Sequence, residues 1–214
     1  FALGNSYNIP AVKSLAYIGL NDMIATASAM GISTFTDPSR YGLSLTLGGG
    51  EVTMADMATA FGTLANNGVK VPLNPFLKIE DYRGKILYQY SEEDRKQDLS
   101  YAQPAIPPEA AYLVSHILLD NNARTSAFGP SSQLVIPGQV VSVKTGTTND
   151  LRDNWTIGYT PERLVAVWVG NNDNKPMNQS LVSGITGAAP IWHDIMTQLL
   201  KERKPLWPEK PEGV

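Results

Sequence analysis

The sequence predicts an α+β fold in which a helical layer covers an antiparallel sheet. Two observations carry that expectation. Helix-like patterns fill the first third of the chain and β-prone runs gather in the last third, a segregation that argues against a doubly wound sheet. The runs Val140–Lys144, Trp155–Tyr159 and Leu164–Val169 are also separated only by turn-like Asn149-Asp150 and Thr160-Pro161-Glu162. Parallel crossovers need a dozen residues or more, so these neighbours should run antiparallel.

In chain order, Asn8 followed closely by Pro10 suits a helix start, and Ala11–Ile18 continues it to Gly19. A second helix is expected after Asn21, ending at Gly31. Thr53 and Asp56 stand in a capping-box-like spacing ahead of Met54, Met57, Ala58, Phe61, Leu64 and Ala65 on one stripe, with Asn67-Gly68 as the stop. The glycine-containing stretch Tyr41–Glu51 has no GxxxxGK[ST] pattern and reads as a structural loop beside a cleft. Phe76–Glu80 and Lys85–Tyr90 flank a turn at Asp81–Gly84 and predict a hairpin. Glu92–Gln97 reads as a solvated charge run, Glu109–Leu119 as a helix, and Ala123–Gly138 as loop. A closing helix over about Ala189–Lys201 should lay Ile191, Ile195, Met196 and Leu199 on the sheet. Trp155, Trp168 and Trp192 are expected between sheet and closing helix, and His116 and His193 in the core.

Composition narrows the function classes. The 214 residues carry a net charge of -3, which gives no basic footprint for nucleic acid. No apolar run approaches the ~18 residues of a membrane span, and cysteine is absent. No His-Glu-x-x-His spacing or carboxylate cluster points to a metal. Asp150 and Asp153 are explained as well by turn and strand-end duties as by a site, and the sequons at Asn154 and Asn178 are too short to interpret.

Two short motifs can carry chemistry: Ser6-Tyr7-Asn8 ahead of the first helix, and Lys144-Thr145-Gly146-Thr147-Thr148 at a strand end. Each alone has an ordinary explanation, a helix cap for the first and a polar turn for the second. Together, and in this order, they match two of the three motifs of the penicillin-recognising serine acyl-transferases, S-x-N and K-T-G after an S-x-x-K. A serine hydroxyl becomes a useful nucleophile only when a neighbouring base takes its proton, and a lysine with a destabilised ammonium can do this. The S-x-N serine can pass a proton to a departing amine, and its asparagine offers a donor and an acceptor to a substrate amide. Glycine in a K-T-G strand leaves room for a peptide lying alongside as an added strand.

The resemblance extends over nearly the whole chain. Asn5–Val12, Leu47–Thr53, Ala65–Gly68, Lys144–Asp150, Asp153–Trp155, Gly158–Pro161, Val167–Asn171 and Ala188–Trp192 resemble, in order, segments of the transpeptidase domain of class A penicillin-binding proteins. That resemblance implies the penicillin-binding transpeptidase or serine β-lactamase-like fold. It implies a peptidoglycan D,D-transpeptidase acting on stem peptides ending in D-Ala-D-Ala and open to β-lactams, without metal or organic cofactor, on the outer face of the cytoplasmic membrane. By position, Ser6 would be the proton shuttle, Asn8 would bind the donor amide, and Lys144 would set the electrostatics and assist Ser6. Thr145 and Thr147 would hold the terminal carboxylate. Gly146 and Thr148 complete the substrate-binding strand, and the Thr147 N–H would serve an oxyanion hole.

The pattern also departs from the family. No serine here is followed by lysine three positions on, and only five residues precede Ser6. Residues 1–214 are therefore expected to be the C-terminal part of the domain, without its nucleophile, glycosyltransferase domain or anchor. The expectation is a chain that does not acylate alone and exposes apolar surface, which favours association with the rest of the domain or another copy. A D,D-carboxypeptidase or β-lactamase-like hydrolase, and a non-catalytic β-lactam or peptidoglycan binder, remain alternatives at this point.

Overall fold

A computed structural model describes residues 1–148, 150–178 and 186–214. Asn149 of the K-T-G segment, and Gln179 and Ser180 of the second sequon, lie outside them. The chain begins with α1 (Asn8–Ile18), α2 (Leu20–Met30) and α3 (Met54–Ala65). Short 3-10 turns at Pro38–Arg40 and Leu43–Leu47 lie between α2 and α3. Next come β1 (Val69–Lys70), the hairpin β2 (Lys78–Glu80) and β3 (Ile86–Gln89), α4 (Glu92–Ser100), β4 (Gln103–Pro104), α5 (Pro108–Leu119) and α6 (Asn121–Phe128). The main sheet, β5 (Ser142–Thr147), β6 (Asp153–Tyr159) and β7 (Leu164–Gly170), precedes α7 (Ala188–Leu200).

The sheet runs β5-β6-β7, antiparallel throughout, and it is layered between α7 on one face and α3 with α5 on the other. The α+β expectation holds. Strand alternation explains both faces. Val143, Val165, Val167 and Val169 meet Ala188, Ala189, Trp192, Met196 and Leu200 of α7 in the larger core. A Cβ at Gly158 would come within 2.3 Å of the Trp192 ring, so the glycine is what lets the indole lie on the sheet. On the opposite face, Phe61 of α3 meets the Tyr159 ring edge-on at 6.1 Å. The Tyr159 and Ser115 hydroxyls are 2.9 Å apart and Ser142 donates to the Ser115 carbonyl at 2.7 Å, which ties α5 to β5 and β6. A smaller core of Leu15, Ile24 and Leu45 joins α1, α2 and the second 3-10 turn.

Several local expectations are corrected. Glu92–Gln97 is helical because Ser91 and Asp94 form a reciprocal capping box and three acidic residues occupy the first turn. Within the expected loop Ala123–Gly138, α6 forms because the Asp120 carboxylate accepts from the N–H groups of Asn122 and Ala123. The closing helix buries Ala188, Ala189, Trp192, Met196 and Leu200, whereas Ile191, Ile195 and Leu199 face outward. Trp155 pairs with Trp168 across β6 and β7 on the face away from α7, so only Trp192 fills the expected place. His116 is exposed against Tyr112, and half-buried His193 meets the Gln133 carbonyl at 3.0 Å, so neither is a core residue. The α3 stripe is only partly buried, with Ala60 and Thr63 innermost. At that helix's start Thr53 accepts from Asp56 N–H, but the Asp56 carboxylate is taken by Ser33.

Candidate active site

Ser6 sits in the turn that feeds α1, and Lys144 sits in the middle of β5. The fold brings them together across 138 residues: Lys144 Nζ donates to the Ser6 hydroxyl. It also donates to the Thr145 carbonyl at 2.6 Å. Neither Ser6 nor Asn8 caps α1 with its side chain; the cap position belongs to Tyr7, and Asn8 is the first helical residue. The helix-cap explanation of the first motif is thereby removed. Ser6 adopts φ +57°, a left-handed conformation unusual for serine; such strain persists only where surrounding structure enforces it. Ser6 and Asn8 are both exposed.

The Lys144 ammonium is half-buried, and desolvation lowers its pKa to about 8. At pH 7 about one Lys144 in ten is then neutral, against a negligible fraction for an ordinary lysine. Among the described residues no carboxylate lies within ion-pair distance of it. A lysine so lowered can carry a positive charge and can also take up a proton near neutral pH.

Strand alternation separates the rest of the second motif. Lys144 and Gly146 share one face of β5 with Ile157 and Trp155 of β6, whereas Thr145 and Thr147 share the other with Thr156 and Asn154. Thr147 Oγ1 accepts from Asn154 Nδ2 at 2.9 Å, and Asn154 Oδ1 accepts from the Ala188 N–H at 2.6 Å, which links the strand to the start of α7. Thr148 Oγ1 accepts from the N–H groups of Arg152 and Asp153, both at 3.0 Å, and so shapes the turn into β6. Asp153 accepts from Trp168 Nε1 at 2.9 Å, and Asp150 pairs with Arg152. Among the described residues β5 has a strand neighbour on one side only, β6, so its other edge can accept an extended peptide.

Two residues around the site escaped the sequence reading. Asn5, 5% exposed, reaches α6 with its carboxamide, donating to Ala123 O at 2.5 Å and accepting from Ala127 N at 2.9 Å. Arg124 of α6, 4% exposed, donates to Leu118 O at 3.0 Å and Val143 O at 3.5 Å. A polar residue directly before Ser6 in an otherwise apolar start was the available signal for Asn5. Arg124 gave none, because its segment read as loop.

A family model of the penicillin-binding protein transpeptidase domain matches residues 2–197. The chain belongs to this family. Among curated members of the penicillin-binding transpeptidases it is 32% identical over 213 residues to penicillin-binding protein 1A of Neisseria gonorrhoeae, covering all of this chain and 26% of that protein. Penicillin-binding protein 1B of Vibrio cholerae is 28% identical over 209 residues, 97% of this chain and 25% of its own length. The chain thus spans about a quarter of these class A relatives. Among solved structures, penicillin-binding protein PonA1 of Mycobacterium tuberculosis superposes with TM-score 0.79 at 24% identity, over all of this chain and 59% of that one. A second structure of PonA1 holds penicillin V. Penicillin-binding protein 1A of Haemophilus influenzae gives TM-score 0.76 at 22% identity, over 99% of this chain and 35% of that one. These likenesses establish the transpeptidase fold.

Proposed function

We propose that residues 1–214 are the C-terminal part of a serine D,D-transpeptidase domain that cross-links peptidoglycan. The observation that carries this reading is the Lys144–Ser6 contact, which joins the two motifs at one point beside an open strand edge. The nucleophilic serine and its lysine are assigned to an S-x-x-K segment outside these residues, since no serine here has lysine three positions on.

The serine oxygen attacks the carbonyl of the penultimate D-alanine in a stem peptide lying along β5. The carbon–nitrogen bond to the terminal D-alanine breaks, and the proton lost by the serine reaches the departing amine through Ser6, with Lys144 holding that hydroxyl. Asn8 holds the donor amide. Thr145, Gly146, Thr147 and Thr148 are assigned to the substrate edge, with the Thr147 N–H given to the oxyanion. Thr145 and Thr147 are given to the terminal carboxylate, although Thr145 is buried and the Thr147 hydroxyl already accepts from Asn154 on the face away from Lys144. The amine of a neighbouring stem then attacks the acyl-enzyme and regenerates the serine. A β-lactam takes the donor's place, in keeping with penicillin V bound to PonA1. The chemistry needs no metal or organic cofactor.

No helix among the described residues is long and apolar enough to cross a membrane; the site is assigned to the extracytoplasmic face, where peptidoglycan is built. The outward stripe Ile191, Ile195 and Leu199 supports packing against the rest of the domain or another copy. Intact mass after incubation with a penicillin tests the reading. An adduct is expected on a chain extended upstream through the S-x-x-K and not on residues 1–214. An adduct on the short chain would overturn the placement of the nucleophile, and none on either would overturn the transpeptidase itself.

A further inference from the structure

Asn5 has no task in the reaction above, yet it is buried beside the shuttle serine. Its Nδ2 donates to Phe1 O at 2.9 Å and Ala123 O at 2.5 Å, and its Oδ1 accepts from Ala127 N at 2.9 Å. In a regular α-helix the N–H of residue 127 would donate to the carbonyl of residue 123. The carboxamide therefore seats on a single rung of α6, donor against acceptor and acceptor against donor, a match that a carboxylate or a hydroxyl cannot give at both ends.

α6 is tied in turn to the strand that bears Lys144. Arg124 donates to Leu118 O, to Leu119 O at 3.4 Å and to Val143 O, the residue before Lys144. A closed circuit results. It runs from Ser6 through Asn5, α6, Arg124 and Val143 to Lys144, and returns through the bond from Lys144 Nζ to the Ser6 hydroxyl.

We propose that Asn5 is a positioning residue of this site: its carboxamide, seated on α6, fixes the Ser6 hydroxyl against Lys144. The inference rests on the transpeptidase reading for its chemical purpose only. The left-handed backbone of Ser6 needs an outside restraint, and Asn5 supplies it from the adjacent position. Asn5→Ala removes the carboxamide that holds the Ser6 turn to α6, and so releases that turn while the Asp120 cap still holds the helix start.

The test reads Lys144 directly. Competitive acetylation of residues 1–214 across pH, resolved by mass spectrometry, should give Lys144 a midpoint near 8. Asn5→Ala should move that midpoint up toward 10.5, because the lysine gains water as the turn lifts. Asn5→Ser, whose shorter hydroxyl cannot reproduce the carboxamide's seat on α6, should shift it in the same direction, and it decides the matter if Asn5→Ala does not fold. Leu15→Ala, in the separate small core, should lower thermal stability without moving Lys144. A folded Asn5→Ala chain with Lys144 unmoved, or an equal shift from Leu15→Ala, would overturn the proposal. In the upstream-extended chain, Asn5→Ala should slow penicillin acylation by about 10²-fold, the scale of an ångström misplacement. An unsubstituted extended chain that takes no penicillin would sink the transpeptidase reading, while the acetylation result would still decide Asn5.

Discussion

Lys144 combines two properties: its ammonium is half out of water, and the partner it meets is a neutral hydroxyl instead of a carboxylate. A carboxylate there would pull the pKa upward and fix the charge, whereas a hydroxyl leaves the lysine able to give up its proton near neutrality. Ser6→Ala in the extended chain should lower the rate of acylation by a penicillin by about 10²–10⁴-fold, the usual range for a lost acid–base group, as read by stopped-flow fluorescence. Binding of a slowly reacting β-lactam before acylation should change far less. The Ser6–Lys144 contact was legible in the sequence because two short motifs, each with its own internal spacing, single out those residues, whereas the role given to Asn8 remains a proposal. Asn5 and Arg124 were not legible, because Asn5 works through backbone groups of α6 and Arg124 through backbone carbonyls of α5 and β5, and a backbone partner leaves no mark on the sequence.

At the scale of elements, α6 shows how a short helix can be hidden from pattern reading. With eight residues it has no room for a repeating apolar stripe, and its formation depends on the Asp120 cap and on tertiary bonds to Asn5 and Val143. Asp120→Ala should destabilise the folded chain by about 1 kcal/mol, read by urea denaturation, and should raise amide exchange within α6 first. α4 was missed for a related reason: the charges that suggested a solvated loop are the ones its capping box uses. α7 was placed correctly but turned wrongly, since Ile191, Ile195 and Leu199 compete with the Ala189, Trp192, Met196 and Leu200 stripe. Shape decides between them, because small Ala188 and Ala189 let the helix approach closely and the Trp192 ring covers Gly158. Gly158→Ala should therefore cost about 1–3 kcal/mol of overpacking, visible as a lowered Tm.

For the molecule as a whole, the two largest titration shifts, of half-buried Lys144 and buried Tyr159, shape the response to alkali. Lys144 binds its proton less well folded, near 8, than unfolded, near 10.5, so the unfolded chain holds more protons between those values and stability rises with pH there. Tyr159 behaves oppositely. Burial pushes its hydroxyl up to about 12 from 10, despite its hydrogen bonds to Ser115 and Ser142, so stability falls as pH climbs from 10 toward 12. Urea midpoints should accordingly rise from pH 8 to 10 and drop beyond it, and Lys144→Met should flatten the rise alone. The same scale contains the outward α7 stripe. Sedimentation of residues 1–214 should show species larger than a monomer, and Ile191→Lys with Ile195→Lys should reduce them. The α+β layering was legible because it depends on where strand and helix patterns fall along the chain, but which apolar stripe of α7 turns inward depends on packing that only the folded sheet supplies.

The β2–β3 hairpin stands apart from all of this, with nearly every residue open to water and Tyr82 at its tip 87% exposed. In a chain without cysteine, Tyr82→Cys would create a single thiol on this exposed turn. A dye attached there would act as a lamp on a mast, reporting by its anisotropy how freely the domain tumbles while Ser6 and Lys144 keep their own side chains.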